Sequence, residues 1–339
     1  MFFIRNPRWS RWTLALLLAT ASVAIAQGTS PPAPSPVPPA PTSAAPSPSP
    51  APSPPPSPVT GIRNKISASD LPSAESVLEV WRAEHGEGGP FLVGLSWLAR
   101  GALLVGETDK ARRYVADVRA RCADSLARGV DLNRSHEVEI ALGAAIEVDA
   151  QLIAREKGAR AAAEMLRAEL ARVKGPVAFR SRLYKRLDML TLVGAPAPEL
   201  AIEDQLGAAA PTLGSLRGKP VVLFVWAEYC GDCRAQAAAL ARVRARHAAD
   251  GLQVVALTRY FDPDSLRVTE KARVDSVWKA SYSEVGVLPI VFSTASMERY
   301  GGSSTPTFVF VDRRGIVRGY TPTRLTEAEF DKALAAITR

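Results

Sequence analysis

Proline limits how much of this chain can form packed structure. Fifteen of its 27 prolines lie between Pro31 and Pro58, separated mainly by alanine and serine and without any charged or aromatic side chain. Repeated Ala-Pro and Ser-Pro units favour extended polyproline II, and the lack of a glycine period excludes collagen. We therefore predict that residues 27–64 form a disordered linker and that folded structure follows it.

The first 26 residues have the pattern of a secretory signal peptide. Three arginines precede an uncharged, mostly apolar run of 14 residues from Trp12 to Ile25, and small residues end the segment at Ala24-Ile25-Ala26. That run is shorter than the ~20 residues that span a bilayer. We expect export to the periplasm or cell envelope, with residues 1–26 either cleaved or kept as an N-terminal anchor.

The net charge of +8 is spread along the chain. Residues 61–192 contain 21 basic and 18 acidic side chains, and residues 193–339 contain 18 and 16. Neither part therefore predicts the concentrated positive field that binding to a phosphate backbone requires. We expect no nucleic-acid partner.

Residues 65–192 have the periodicity of a helical domain. Apolar side chains recur on one helical face from Tyr114 to Leu126, and further apolar stretches follow the same spacing on either side. The short turns between them predict helical hairpins, while no 34-residue period of the tetratricopeptide kind is present. We predict an all-α helical-hairpin domain.

The pattern changes at residue 193, where runs typical of buried strands begin. These runs are Val221–Trp226, Val254–Leu257 and Thr307–Val311, and a helical stretch from Arg234 to Ala248 separates the first two. A hairpin and a closing helix with a capping box at Thr326 complete the pattern. Residues 193–339 therefore predict a small α/β domain.

The motif Cys230-Gly231-Asp232-Cys233 follows the first of these strands and opens the helix. Free N–H groups at the start of a helix stabilise a thiolate, so the first cysteine can attack a disulfide and the second can resolve it. Half of a zinc site is the competing interpretation, but the third cysteine, Cys122, and the three scattered histidines provide no second ligand pair. The pattern favours redox chemistry, with no metal and no cofactor.

The segment Trp226–Cys233 resembles the active-site segment of thioredoxin-fold proteins, and Ser304-Thr305-Pro306-Thr307 resembles their cis-proline loop. With Gly194–Pro198 and Leu216–Pro220, residues 193–339 are most similar to the exported TlpA/ResA-like thiol-disulfide reductases. The resemblance implies a thioredoxin-like α/β domain that reduces protein disulfides. It also implies disulfide-containing client proteins and a membrane-bound electron donor as partners.

By the same resemblance, Cys230 is the nucleophile and Cys233 the resolving thiol. Pro306 would be cis and pack against the disulfide, and the Thr305 backbone would pair with an extended substrate. Trp226 is expected to help bind substrate, with a core aromatic at a strand end as the alternative. For Pro306, the alternative is a plain proline at the start of a strand.

Two residues beside the cysteines depart from the family. Gln236 stands where many of these reductases have a glutamate, and a neutral amide is a poor proton acceptor. Asp232 lies between the cysteines, where its charge disfavours a thiolate and so favours a reductant. Alternatively, Asp232 is an exposed acid that complements the start of the helix.

Three further alternatives stay open. The chain could be a helical interaction module whose thioredoxin domain is weakly active or inactive. A thiol peroxidase of the peroxiredoxin type is disfavoured, because Leu223 and Ala227 occupy the positions where that class has proline and threonine. Cys122 lies on the apolar helix face and is expected to be an inert buried thiol. The alternative is a third redox cysteine or an intermolecular bridge.

Overall fold

The computed structural model describes residues 57–338, which belong to one compact unit. An all-helical part comes first, and an α/β part built on one sheet follows it. This order agrees with the predicted architecture. The predicted signal peptide and the linker as far as residue 56 lie outside the described residues.

The helical part forms because amphipathic segments alternate with short turns. Its helices are α1 Val59–Ser67, α2 Leu71–His85, α3 Gly89–Leu104, α4 Thr108–Ala127, α5 His136–Arg172 and α6 Val177–Thr191. Helix α5 breaks at Gly158, whose positive φ of 87° a side chain would disfavour. Within residues 57–338, no helix is both long and apolar enough to cross a membrane.

The predicted linker extends too far towards the C-terminus. Its last residues, 59–64, belong to helix α1. They fold because α1 buries Ile62 and Ile66 against glycines of α3: a Cβ at Gly94 would lie 3.0 Å from Ile62, and one at Gly101 would lie 2.9 Å from Ile66. Helix α1 has nine residues, about two and a half turns, and its apolar pattern was too short to be recognised beside the prolines.

The α/β part is built on a six-stranded mixed sheet. Its elements are β1 Asp204–Gly207, β2 Val221–Val225, α7 Gly231–Ala235, α8 Ala237–Arg246, β3 Gln253–Thr258, α9 Arg267–Ser281, β4 Pro289–Phe292, α10 Thr294–Arg299, β5 Thr307–Val311, β6 Val317–Thr321 and α11 Glu327–Thr338. The strand order is β1-β4-β3-β2-β5-β6. Strands β2, β3 and β4 are mutually parallel, whereas β1, β5 and β6 pair antiparallel to their neighbours.

Strand β2 lies at the centre of two cores. Every residue of β2 is buried, and successive side chains point to opposite faces of the sheet. On one face Phe224 stacks on Phe308, with 5.3 Å between ring centroids, and Phe308 meets Phe330 of α11 edge to face. Leu223 and Val225 belong to the core on the opposite face. The helical part has a separate core of its own.

Helix α6 joins the two parts through contacts with α10. Arg180 of α6 donates to the Glu298 carboxylate at 2.8 Å, and Arg299 of α10 donates to Asp188 at 2.7 Å. Immediately after α10, Gly301 approaches α6 so closely that a Cβ there would lie 2.5 Å from Lys185 Cα. Ion pairs and a glycine contact therefore hold the helical part against the sheet.

Asp188 predicts how stability depends on pH. Burial raises the pKa of Asp188 to about 7, although Arg299 favours its charged form. Since the unfolded chain loses this proton near pH ~4, the folded state binds more protons between these two values. The free energy of unfolding therefore decreases as pH rises towards 7, by about 4 kcal/mol at most.

We expect the difference in melting temperature, wild type minus Asp188→Asn, to decrease as the pH is raised from 5 to 8. The asparagine cannot ionise, so it removes this one titration while keeping the size of the side chain. Thermal unfolding of both proteins in matched buffers measures the difference. A difference that grows with pH would contradict the prediction.

Candidate active site

The cysteine pair lies where β2 ends and α7 begins. Cys230 is the residue before α7 and Cys233 lies in its first turn, and the two form a disulfide. Cys230 is 8% exposed, whereas Cys233 is fully buried. The Cys233 N–H donates to Cys230 Sγ at 3.0 Å. This arrangement gives an attacking group access only to Cys230, and the N–H can stabilise a thiolate there.

The loop before β5 reaches the same edge of the sheet. Val225, the last residue of β2, pairs with Thr307, the first residue of β5. The residues after Val225 and those before Thr307 therefore leave the sheet together. The Thr305–Pro306 peptide bond is cis, as the resemblance implies. Within residues 57–338, the N–H and C=O of Thr305 make no backbone hydrogen bond.

Trp226 packs in the hydrophobic core behind this edge of the sheet. Its side chain is fully buried, and its ring centroid lies 5.2 Å from those of Trp278 and Tyr282, both edge to face. The structure agrees with the alternative interpretation, a core aromatic at a strand end. No part of the Trp226 ring is available to a substrate, because the aromatic rings of α9 and the following turn cover it.

A pocket of about 560 Å³ opens beside the disulfide and is lined from both parts of the chain. The α/β part contributes Tyr229 and Asp232 beside the cysteines, Arg259 and Phe261 after β3, Ser304, Thr305 and Pro306 before β5, and Arg324 after β6. The helical part contributes His136, Glu139, Ser181 and Arg182. The helical part therefore forms one wall of the candidate active site.

The loop after β3 brings an aromatic and cationic surface to this pocket. Tyr229 meets Phe261 edge to face at 5.1 Å between ring centroids, and the Arg259 guanidinium lies 4.2 Å from the Phe261 centroid. Fully buried Glu270 accepts hydrogen bonds from the N–H groups of Phe261 and Asp262, at 2.7 and 3.1 Å. The buried carboxylate fixes the loop and so fixes these side chains.

Gln236 has a structural role at the back of the site. Its side chain is buried, its amide nitrogen donates to the Leu325 carbonyl at 3.1 Å, and its amide oxygen accepts from the Leu325 N–H at 2.6 Å. These bonds hold the segment that carries Arg324. The Arg324 guanidinium in turn lies 3.5 Å from the exposed carboxylate of Asp232.

Two carboxyl groups are buried in this region: Glu139 lines the pocket, and Glu228 belongs to the segment between β2 and Cys230. Burial raises the pKa of Glu139, although Arg182 and His136 favour its charged form. Burial likewise raises the pKa of Glu228, although Arg273 donates to it at 2.6 Å. Glu139 lines the pocket, so the helical part contributes a titratable group to it. In residues 57–338, no cluster of His, Cys, Asp and Glu side chains could hold a metal ion.

Cys122 is the remaining cysteine and lies in α4. Its side chain is fully buried, as predicted, and burial raises the pKa of its thiol to about 12. A thiol with such a pKa is almost entirely protonated at neutral pH, and the protonated form is a poor nucleophile.

The structure brings together most of the site residues that the sequence suggested. Asp232, Thr305 and Pro306 line the pocket beside the cysteines, whereas Trp226 and Gln236 lie behind it. Sequence reasoning missed Arg259 and Phe261, although the carboxyl ends of the parallel strands β2 and β3 must share one edge of the sheet. It also missed the wall from α5 and α6, for which the sequence contains no local signal.

Comparison with known proteins finds one family match and several similar solved structures. Residues 193–320 match the AhpC/TSA family model. No curated protein matches the chain. One similar solved structure is a putative thiol:disulfide interchange protein DsbE from Chlorobium tepidum, at 22% identity over 43% of this chain and 98% of the other, with a TM-score of 0.36.

Two further solved structures are similar to part of this chain. A secreted Mycobacterium tuberculosis disulfide oxidoreductase, homologous to E. coli DsbE, has 24% identity over 36% of this chain and 85% of the other, with a TM-score of 0.29. The thioredoxin domain of a Bacteroides vulgatus thiol-disulfide oxidoreductase has 15% identity over 43% and 97%, with a TM-score of 0.34. The family match and the sheet order define residues 193–320 as a thioredoxin-like α/β domain after an all-helical region.

Gln236→Glu tests the structural role of this amide. A protonated carboxyl can reproduce both bonds to Leu325, whereas a carboxylate would face the Leu325 carbonyl without a proton to donate. Burial raises the pKa of an acid. We therefore expect the variant to be about as stable as the wild type at pH 5, and its free energy of unfolding to be lower by about 1–3 kcal/mol at pH 8. Thermal unfolding at the two pH values measures the difference. Equal destabilisation at both pH values would contradict this role.

Proposed function

We propose that this chain is an exported thiol-disulfide oxidoreductase that reduces disulfides in client proteins through Cys230 and Cys233. The observation that carries the proposal is the placement of Cys230, which is 8% exposed, and fully buried Cys233 at the sheet edge shared with Thr305, whose N–H and C=O make no backbone hydrogen bond within residues 57–338. The similarity of residues 193–339 to TlpA/ResA-like reductases supports the same assignment.

The reaction consists of two exchanges between sulfur atoms. In the reduced protein, the Cys230 thiolate attacks one sulfur of a client disulfide, whose S–S bond breaks as the mixed disulfide forms and the client's other sulfur leaves as a thiolate. Cys233 then attacks Cys230 Sγ and releases the second client thiol. Two electrons pass to the client, and the Cys230–Cys233 disulfide is the product.

The pocket explains how a client would be positioned. An extended client chain can pair with the free N–H and C=O of Thr305, as strands do at a sheet edge. That pairing would bring a client disulfide over Cys230, between the rings at Tyr229 and the wall formed by α5 and α6. Cys233 stays covered until the mixed disulfide forms.

Electron flow from the pair to the client is supported by Asp232. A negative charge beside the cysteines opposes thiolate formation and so favours the disulfide form, which makes the dithiol a better reductant. Arg324, 3.5 Å away, offsets part of that charge. The proposal includes a membrane-bound dithiol donor that reduces the pair again, and location in the periplasm or cell envelope.

Insulin reduction tests the activity. We expect the wild type to accelerate the precipitation of insulin in the presence of dithiothreitol. With Cys230→Ala, the precipitation rate should equal that with dithiothreitol alone, because the attacking thiolate is lost. Cys122→Ala is the matched control and should retain wild-type activity, since its thiol is buried away from the pocket.

Two outcomes would overturn this assignment. A wild type that reduces insulin no faster than dithiothreitol would favour a helical interaction module with an inactive thioredoxin domain. Peroxide consumption that depends on Cys230 and exceeds insulin reduction would favour a thiol peroxidase. Peroxide consumption is therefore measured with the same three proteins.

Cys233→Ala should trap the clients. Without Cys233 the mixed disulfide cannot resolve, so we expect covalent complexes that disappear when a gel is run under reducing conditions. Expression in the native cell envelope followed by mass spectrometry identifies the trapped proteins. The double variant Cys230→Ala/Cys233→Ala should trap none, and the same complexes from that variant would contradict the proposed nucleophile.

A further inference from the structure

A second cleft, of about 470 Å³, lies beside the active-site pocket and is strongly basic. Its cationic lining residues are Arg100 of α3, Arg155 of α5, and Arg182, Lys185 and Arg186 of α6. Glu147 of α5 is the one acidic residue of its lining. We refer to this surface as the basic cleft.

Glu147 lies within 4 Å of four of these cations. Its carboxylate is 4% exposed, and it lies 2.8 Å from Arg100 and 3.0 Å from Lys185. Arg182 and Arg186 are more distant, at 3.6 and 3.9 Å. The side chains of all four cations are at most 28% exposed, so water screens the excess positive charge poorly.

Two arginines of the cleft have a nitrogen atom without a hydrogen-bond partner within residues 57–338. These atoms are the buried Nε atoms of Arg182 and Arg186. Arg155 contacts a backbone carbonyl, that of Leu103, at 3.4 Å. Burial lowers the pKa of Lys185, and Arg182 and Arg186 lower it further, while Glu147 opposes the change. Crowded, poorly screened cations of this kind favour binding of an anion.

The basic cleft is a local concentration of cations that charge counts along the sequence do not predict. Basic and acidic residues are nearly balanced along residues 61–192. Folding brings together cations from three helices, while most of the acidic side chains lie elsewhere.

The basic cleft is continuous with the candidate active site. Arg182, Ser303 and Ser304 line both the cleft and the active-site pocket. Ser304 directly precedes Thr305, whose free backbone groups would pair with a client. An extended chain advances about 3.3 Å per residue, so a client held at Thr305 enters the basic cleft within a few residues of its cysteine.

We propose that the basic cleft binds acidic side chains of the client, on the chain segment next to the disulfide that is reduced. This inference rests on the proposed function and assigns it a substrate class: disulfides flanked by aspartate or glutamate. Charge complementarity at such a cleft contributes both to affinity and to the rate of encounter.

Binding of redox-inert peptides tests the cleft separately from the chemistry. The probe is a fluorescent peptide with a central serine in place of cysteine and four glutamates on each side. The matched control peptide has glutamine at those eight positions. Fluorescence anisotropy with the wild type at low ionic strength should show binding of the glutamate peptide at least ~10-fold tighter than that of the glutamine peptide, and the difference should shrink as salt is added.

Removal of cations identifies the surface that binds. Arg155→Gln/Arg186→Gln lowers the charge of the cleft by two and leaves Glu147 paired with Arg100 and Lys185. We expect this variant to bind the glutamate peptide about tenfold more weakly than the wild type. The matched control is Arg113→Gln/Arg167→Gln, which removes two exposed arginines outside the cleft and should alter the affinity less than twofold.

The outcomes separate this proposal from its alternatives and from the proposed function. The proposal would be overturned if the wild type bound the two peptides with equal affinity. It would also be overturned if the two double variants lost affinity for the glutamate peptide equally. Displacement of the glutamate peptide by inorganic phosphate, but not by chloride at equal ionic strength, would instead assign the cleft to small phosphate anions. Peptide binding without insulin reduction would refute the proposed function alone, and insulin reduction without a preference for glutamate would refute the cleft alone.

Discussion

The burial of strand β2 on both faces of the sheet is the constraint on which the rest of the structure depends. Its five residues are apolar, pair with β3 on one side and β5 on the other, and leave no freedom to shift the register without exposing a face. The position where β2 ends is therefore determined, and with it the position of Cys230. Trp226, packed against the aromatic rings of α9 and the turn after it, anchors the chain between strand and cysteine.

Strand direction then decides which loops meet at the site. Since β2 and β3 are parallel and β5 is antiparallel to β2, the segment after β2, the segment after β3 and the segment before β5 share one edge. Buried side chains hold two loops of the site from behind: Glu270 fixes the loop of Arg259 and Phe261, and Gln236 fixes the segment of Arg324. Gln236 therefore has a structural role in this chain.

The helical part changes what this edge can recognise. Helix α6 is held on α10 by the pairs Arg180–Glu298 and Asp188–Arg299, and it covers the pocket with side chains that a thioredoxin-like domain alone does not provide. The same helix carries three cations of the basic cleft. The polar contacts between α6 and α10 therefore hold in place the helix that forms part of the pocket wall and carries three cations of the basic cleft.

The amino-acid sequence by itself determined the helices, the principal strands and the cysteine pair, because periodicity, strand burial and the Cys-x-x-Cys spacing are properties of neighbouring residues. It did not determine that the folded structure begins at α1, nor did it determine the short elements β1 and α10. The few residues of these elements are ordered by contacts with distant residues. The pocket wall and the basic cleft depended on tertiary structure for the same reason. Arg100 meets Glu147 across 47 residues of chain, and a net charge, which is a sum over positions, carries no information about which charges meet.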